Sequence, residues 1–416
     1  MLTFPDPNVE TEYTDPNGSV WAFNGTGWVR QPESSGGGEE DFAWPLPSKP
    51  DVEIFALPSG NGRPDGTNFE SVFLQADPVT GELSLRDKAV FSENISTYKI
   101  KFAHQRKLFA TIGNNRNVMV YNYETVPATL VDDIQTGVGV DEFCWGPTDE
   151  VIVVANATGR FRAYKESGLG NNDWSGNLFS ADTALTARCY SIDACKSVGN
   201  GTSVYFLAAV QNSTMTANLQ ENIYLLEATS SGVREVSKFS RAYNGYNGEP
   251  YEVHNHPHVG GGIWCGKNAG GRTCGTIYVL TDRDEVRSAY MSHFSTTASA
   301  NMNNAVFSPS GNYVFISPTS GKDESTLLRV SPNGVLTKVW GDSWGRGTNR
   351  AQWSSDERFM YVWGDASSTG PNGERYALKT YDFNGGSPTP SSLPEFYLDA
   401  NPSGSGTPRT FDRCRV

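Results

Sequence analysis

The sequence predicts an all-β chain: an N-terminal β-hairpin tag, a flexible linker, and a seven-bladed β-propeller. Three observations carry this reading. First, an anchor aromatic and a small residue recur ahead of a polar turn and a run of β-formers. Phe102-Ala103-His104-Gln105 leads into Leu108–Ile112, and Trp145-Gly146-Pro147-Thr148-Asp149 leads into Val151–Ala155. Phe307-Ser308-Pro309-Ser310-Gly311 leads into Tyr313–Ser317, and Trp353-Ser354-Ser355-Asp356 leads into Phe359–Trp363. Neighbouring anchors lie about 43 and 46 residues apart, a spacing that fits four-stranded propeller blades. Second, Gly 43, Pro 23 and 12% aromatics with 19% charged residues suit a turn-rich β protein. Third, no stretch shows helical apolar periodicity with caps.

Residues 1–31 form the first unit. Ser19 to Val29 reads as two short strands around Asn24-Gly25, the strongest short hairpin signal. Alternation puts Trp21 and Phe23 on one face, with Trp28 opposite them across the hairpin. A lone two-stranded hairpin is marginal in water, so these aromatics are expected to complete their core against another surface.

Residues 32–50 are a linker. Gln31 to Asp41 is rich in Gly, Ser and acids, and therefore flexible and self-repelling. Trp44-Pro45-Leu46-Pro47 continues it as a stiffer extended piece.

Residues 51–416 supply the blades, about 52 residues each if seven share this length, with six or eight as the alternatives because the fourth is long and the first irregular. The first contains Ile54–Leu57 and Val72–Gln75, and later ones begin near Tyr98, Val140, Arg188, Tyr251, Met302 and Arg350. Ring closure removes exposed sheet edges. Residues 51–58 are therefore expected to pair beside Tyr376–Tyr381 of the last blade.

Charge narrows the partners. Of the net charge of −13, residues 1–53 carry ten acids and two bases, which disfavours nucleic-acid binding. No run approaches a membrane span, and the start Met1-Leu2-Thr3-Phe4-Pro5-Asp6 lacks the features of a secretory signal. Six cysteines occur, with Cys189 and Cys195, and Cys265 and Cys274, close in sequence. Neither pair has C-x-x-C spacing, so zinc and thiol-redox chemistry are not indicated. Buried free thiols are the expectation, with a loop-stapling Cys265–Cys274 bridge as the alternative.

Chemistry has few footholds. His254, His256 and His258 alternate, as a metal site would want, but Pro257 and the glycines after it indicate a polar surface loop. No metal or cofactor is expected. Asp132-Asp133 and Asp282-Arg283-Asp284-Glu285 read as solvated turns, and there is no nucleophile elbow, phosphate loop or dinucleotide fingerprint. No catalytic residue is assigned.

The anchors, Phe307-Ser308-Pro309-Ser310-Gly311-Asn312-Tyr313 above all, resemble the blade motif of WD-repeat propellers, although the Gly-His and Trp-Asp signatures are missing. Separately, Phe4-Pro5-Asp6-Pro7 and Tyr13 to Arg30 resemble a short module at the front of structural proteins of tailed phages, particularly those of marine cyanobacteria. That resemblance implies an attachment tag with Phe4, Tyr13, Trp21, Phe23 and Trp28 as partner-binding residues. The resulting expectation is a non-enzymatic virion protein present in multiple copies. Its tag fastens to a capsid or tail component, and its propeller serves decoration, appendage formation or host-surface attachment, with host glycan as a further partner. The alternatives are a propeller depolymerase or glycosidase acting on host polysaccharide, and a sugar-binding lectin.

Overall fold

The computed structural model describes residues 12–14, 20–23, 28–30, 53–57, 70–90, 99–112, 116–125, 127–156, 158–184, 188–195, 203–211, 221–240, 249–258, 260–267, 272–282, 285–296, 302–318, 325–331, 334–342, 348–365, 376–383, 388–397 and 411–413. The chain divides into two compact units. One is Met1–Ala43 with Ser331–Asn333, and the other is Trp44–Val330 with Gly334–Val416.

The first unit holds β1 (Glu12–Thr14), β2 (Val20–Phe23) and β3 (Trp28–Arg30), paired antiparallel in that order. The expected two-stranded hairpin is thus corrected to a three-stranded sheet. Its added strand opposes Tyr13 to Trp21, while Phe23 opposes Trp28. Register therefore places these four positions on one face of the sheet. Phe4, the Asn24-Gly25 turn and the linker lie outside the described residues.

The second unit begins with β4 (Glu53–Leu57), β5 (Glu70–Ala76) and β6 (Leu83–Val90). β7 (Ile100–Phe102), β8 (Leu108–Ile112), β9 (Val118–Asn122) and β10 (Thr129–Ile134) form the next blade. β11 (Val140–Trp145), β12 (Val151–Asn156), β13 (Arg160–Lys165) and β14 (Leu178–Ala184) follow. Then come β15 (Arg188–Ala194), β16 (Ser203–Gln211), β17 (Glu221–Thr229) and β18 (Gly232–Ser240). β19 (Glu249–Asn255), β20 (Gly261–Lys267), β21 (Arg272–Asp282) and β22 (Glu285–Thr296) make another. β23 (Met302–Phe307), β24 (Tyr313–Pro318), β25 (Ser325–Val330) and β26 (Leu336–Asp342) make the one after it. β27 (Thr348–Trp353), β28 (Phe359–Asp365), β29 (Tyr376–Phe383), β30 (Pro388–Pro390) and β31 (Phe396–Tyr397) share one sheet, and β32 (Asp412–Arg413) returns to β4.

This is a β-propeller arrangement of antiparallel sheets. The four-stranded blades expected from the anchor spacing hold for six sheets; the last anchor's sheet departs from them with five strands, because β31 also pairs β29. The expected closure is corrected as well. β4 does not pair with Tyr376–Tyr381; Asp412 and Arg413 of β32 oppose Ala56 and Phe55. β29 is already occupied by β28, β30 and β31.

Why these sheets stack is visible in their middle strands. All six residues of β12 are buried, and period-two alternation sends them to opposite sides. Ile152 and Val154 pack with Phe143 and Trp145, whereas Val151, Val153 and Ala155 pack with Val204, Phe206 and Ala208 of the following blade. β16 repeats the pattern, with Tyr205 and Leu207 on its other face meeting Val253. The series continues through Ile263 with Val314 and through Phe315 with Trp353. Tyr361 with Phe55, and Phe73 with Phe109, carry it back to the start.

The anchor motifs form the turns between first and second strands. Ala103 N donates to Leu108 O at 2.9 Å, Gly146 N to Val151 O at 2.7 Å, Ser308 N to Tyr313 O at 2.9 Å, and Ser354 N to Phe359 O at 2.9 Å. Two blades without the motif make the same bond, through Cys195 N to Tyr205 O at 2.8 Å and His256 N to Gly261 O at 2.9 Å. Asp149, Gly311 and Glu357 occupy a common turn position with φ of 62°, 79° and 57°. Glycine is needed at 311, because a Cβ there would lie 2.4 Å from the His256 ring.

The acids at that position reach the preceding turn. Asp149 accepts His104 N at 2.7 Å and Gln105 N at 2.6 Å, and Glu357 accepts Ser310 N at 2.6 Å. Glu53 accepts Ser355 N at 2.6 Å in the same manner. Each latch satisfies backbone donors that would otherwise be buried against a neighbouring blade.

Phe206→Ala should lower unfolding stability by about 3–5 kcal/mol, since it empties a filled inter-blade layer. Leu178→Ala, on an exposed side chain of β14, should stay within about 0.5 kcal/mol of wild type. Chemical denaturation midpoints compare the two.

Candidate functional site

The first strands of the blades stand side by side as β7, β11, β15, β19, β23 and β27, and β32 completes the ring back to β7. Their side chains concentrate the charge of the propeller's inner rim. Lys99 precedes β7 and donates to Glu142 of β11 in a buried ion pair. Lys101 donates to Ile192 O at 3.0 Å and so reaches past β11 to β15. Asp193 of β15 accepts Asn255 N of β19 at 2.8 Å, and Ser191 bonds the backbone of Val253 at 3.4 Å. Glu252 of β19 meets Arg350 of β27 at 2.8 Å and His254 Nε2 at 3.2 Å. Gln352 donates to Phe411 O at 3.2 Å, and Asp412 accepts Phe102 N at 2.8 Å.

Electrostatics follow from this geometry. Burial alone would raise the Glu252 carboxyl, but Arg350, His254 and Lys99 outweigh it and hold its pKa below the ordinary value. Burial depresses the Lys99 ammonium, with Glu142 opposing it. Burial would also depress Lys101, yet Glu142 and Asp193 lead the groups that raise it. Burial pushes the Cys144 thiol well up. Each of these acids therefore has a specific cation or N–H partner on another strand. The belt ties inner strands together and pairs Glu142 with Lys99 and Glu252 with Arg350.

The histidine run divides. His254 lies in this belt, partly exposed, while His256 is buried against Phe307 with ring centroids 4.9 Å apart. His258 donates its backbone N to His256 Nδ1 at 3.1 Å and places Nε2 3.2 Å from Pro309 O. The expected polar surface loop is thereby corrected to a joint between two blades. Among the described residues no group of three or more His, Cys, Asp or Glu is placed to hold a metal. Asp132 is likewise not a solvated turn residue. It sits on β10 and accepts Trp174 N at 2.7 Å and Ser175 N at 3.0 Å. Asp282 and Glu285 are opposed at the end of the β21–β22 hairpin, and Arg283 and Asp284 lie outside the described residues.

Tyr13, Trp21, Phe23 and Trp28 fall on strands of the N-terminal sheet, as their backbone register shows. Sequence reasoning missed the inner belt. Its members carry no local motif, and apart from the Glu252–His254 contact within β19 their partners lie between 43 and 310 residues apart in the chain.

No protein-family model and no curated protein matches the sequence. Solved structures do resemble the fold. A candidate 6-phosphogluconolactonase of Bacteroides uniformis is similar at 12% identity and TM-score 0.59, covering 88% of this chain and 100% of its own. The periplasmic gluconolactonase of Pseudomonas aeruginosa gives 10% identity and TM-score 0.59, covering 84% and 97%. A functionally unknown protein of Desulfotomaculum acetoxidans gives 11% identity and TM-score 0.57, covering 84% and 96%. At these identities the likeness establishes the propeller fold and nothing about activity. No helix among the described residues is long and apolar enough to cross a membrane.

Arg350→Met should cost about 3–5 kcal/mol, because Glu252 remains buried without its main cation. Adding Glu252→Gln should restore more than half of that loss in denaturation experiments. The depressed Glu252 pKa also fixes a pH dependence. Its stabilisation is fully present above the unfolded carboxylate value of about 4.3 and is lost as pH falls through the lower folded value. The stability gap between wild type and Glu252→Gln should therefore narrow below about pH 4.

Proposed function

We propose that this chain is a non-enzymatic structural protein of a virion, a propeller fastened to capsid or tail through its N-terminal unit. Counting the five-stranded sheet as a blade, we take the propeller as seven-bladed. The observation carrying the reading is the internally bonded inner rim. Lys99 is spent on Glu142, and Arg350 on Glu252. Asp193 and Asp412 are spent on backbone N–H groups. A rim built this way holds strands together, and each of these acids serves a contact between strands. The N-terminal unit adds support. It is compact in its own right, and its described aromatic positions, Tyr13, Trp21, Phe23 and Trp28, share one face. Buried aromatics are the usual anchors of interfaces. Its resemblance to phage attachment modules names the partner class. The propeller then acts in decoration, appendage formation or adhesion to a host-surface glycan.

The test uses particles and purified protein together. The double substitution Trp21→Ala and Trp28→Ala should release the protein from virions while the propeller keeps its unfolding transition. Mutant protein that stays on particles at the normal level rejects the tag. In parallel, the purified chain is offered gluconolactones, 6-phosphogluconolactone, host polysaccharide and glycosides. Turnover that disappears with Glu252→Gln or Glu142→Gln would replace the structural reading with an enzymatic one.

A further inference from the structure

We propose that Cys265 and Cys274 form a disulfide that staples the β20–β21 hairpin. In the antiparallel pairing of these strands, Cys265 and Cys274 are direct register partners, the pair nearest the connection between the two strands. Directly opposed residues in such a ladder have Cα atoms about 4.5–5.5 Å apart, inside the span of about 4.4–6.8 Å that a disulfide bridges. Each lies two residues from the hairpin end of its strand, Lys267 in one and Arg272 in the other. The segment between them, Gly266 to Thr273, contains three glycines, so the bond would close a loop of low intrinsic stiffness.

The other cysteines show how specific this juxtaposition is. Cys144 opposes Val153, and Cys189 opposes Val210. Cys189 and Cys195 lie along one edge of one blade, and six extended residues separate them by about 20 Å, far beyond disulfide reach. Cys144, Cys189 and Cys195 are buried free thiols. Burial raises all three, Cys195 to about 12, which keeps them from the thiolate form that exchange requires. Cys414 lies outside the described residues.

The reaction is a two-electron exchange with a small-molecule disulfide such as oxidised glutathione. One cysteine thiolate attacks a sulfur of the oxidant, forming a mixed disulfide and expelling one thiol. The second cysteine attacks that mixed disulfide, closes the bridge and expels the second thiol. Two protein thiols are oxidised and one small disulfide is reduced to two thiols. The bond does not depend on what the propeller is fastened to.

The sequence supplies a direct test, because Lys267 and Arg272 lie between the two cysteines and Arg241 and Arg283 flank them. Full-length protein is equilibrated with excess oxidised glutathione, its free thiols are alkylated, and it is digested with trypsin unreduced. The expected product is peptide 242–267 joined to peptide 273–283, derived from monomer and separating on reduction. The Cys265→Ser variant, checked for an intact unfolding transition, should yield alkylated or glutathionylated Cys274 instead. Wild-type peptides that emerge separately alkylated, carry glutathione, join to other cysteines, or come only from a covalent dimer would overturn the proposal. The wild-type digest decides the matter even if the variant fails to fold.

Discussion

A sheet that is apolar on both faces needs a neighbour on each side, and that requirement organises this propeller. β12 and β16 are central strands with no polar face to offer water. Two sheets packed together would leave two outer apolar faces, and an open stack would leave one at each end. A ring supplies every sheet with two partners. The sequence of inter-blade clusters, from Phe73 with Phe109 round to Tyr361 with Phe55, is that solution written in side chains. Hydrophobic burial at about 25 cal/mol per Å² then favours the ring as a whole over any single blade.

Packing sheets face to face creates a second problem at the ends of the strands, where backbone donors in the turns are carried into the interior. The latches of Asp149, Glu357 and Glu53 address it on the turns. The belt of Lys99, Glu142, Asp193, Glu252 and Arg350 addresses it on the inner strands. Both sets reach from one blade to another. Charged side chains buried here are tolerable because each has a partner of opposite sign or a backbone N–H within hydrogen-bond distance. They also add direction, since apolar faces alone would accept a sliding of one sheet on the next.

Much of the architecture was legible because it is local. Trp145-Gly146-Pro147-Thr148-Asp149 announces a turn from its own residues, and the hydrogen bond from Gly146 N to Val151 O is the outcome. Starts of blades read from the sequence near Val140, Arg188 and Met302 fall at the first residues of β11, β15 and β23. What failed to show is what depends on partners distant in the chain. Asp149 reads as an ordinary turn residue until its carboxylate is seen on His104 and Gln105. His256 reads as polar until it is found beneath Gly311. The added strand of the N-terminal sheet, β1, is three residues long, too short to carry an alternation signal. The Cys265–Cys274 register could be suspected from spacing, but only the pairing of β20 with β21 makes the two residues opposite each other.

The closing strand shows how far the ring relies on contacts outside its ladders. Among the described residues β32 has two, whereas β28, which fills the middle of the preceding sheet, has seven. Two ladder residues would not hold a strand by themselves, since isolated pairings of this size are marginal in water. The segment is held instead from three directions. Phe411 packs into the layer of Phe55, Tyr361 and Trp363. Gln352 donates to its carbonyl from one neighbouring blade, and Asp412 accepts Phe102 N from the other. β32 is therefore both a strand added to β4 and a link between β27 and β7. Those bonds exist only when both flanking blades are already in place. Closure therefore draws on both neighbours: the joint gains its stability from the ring that it completes.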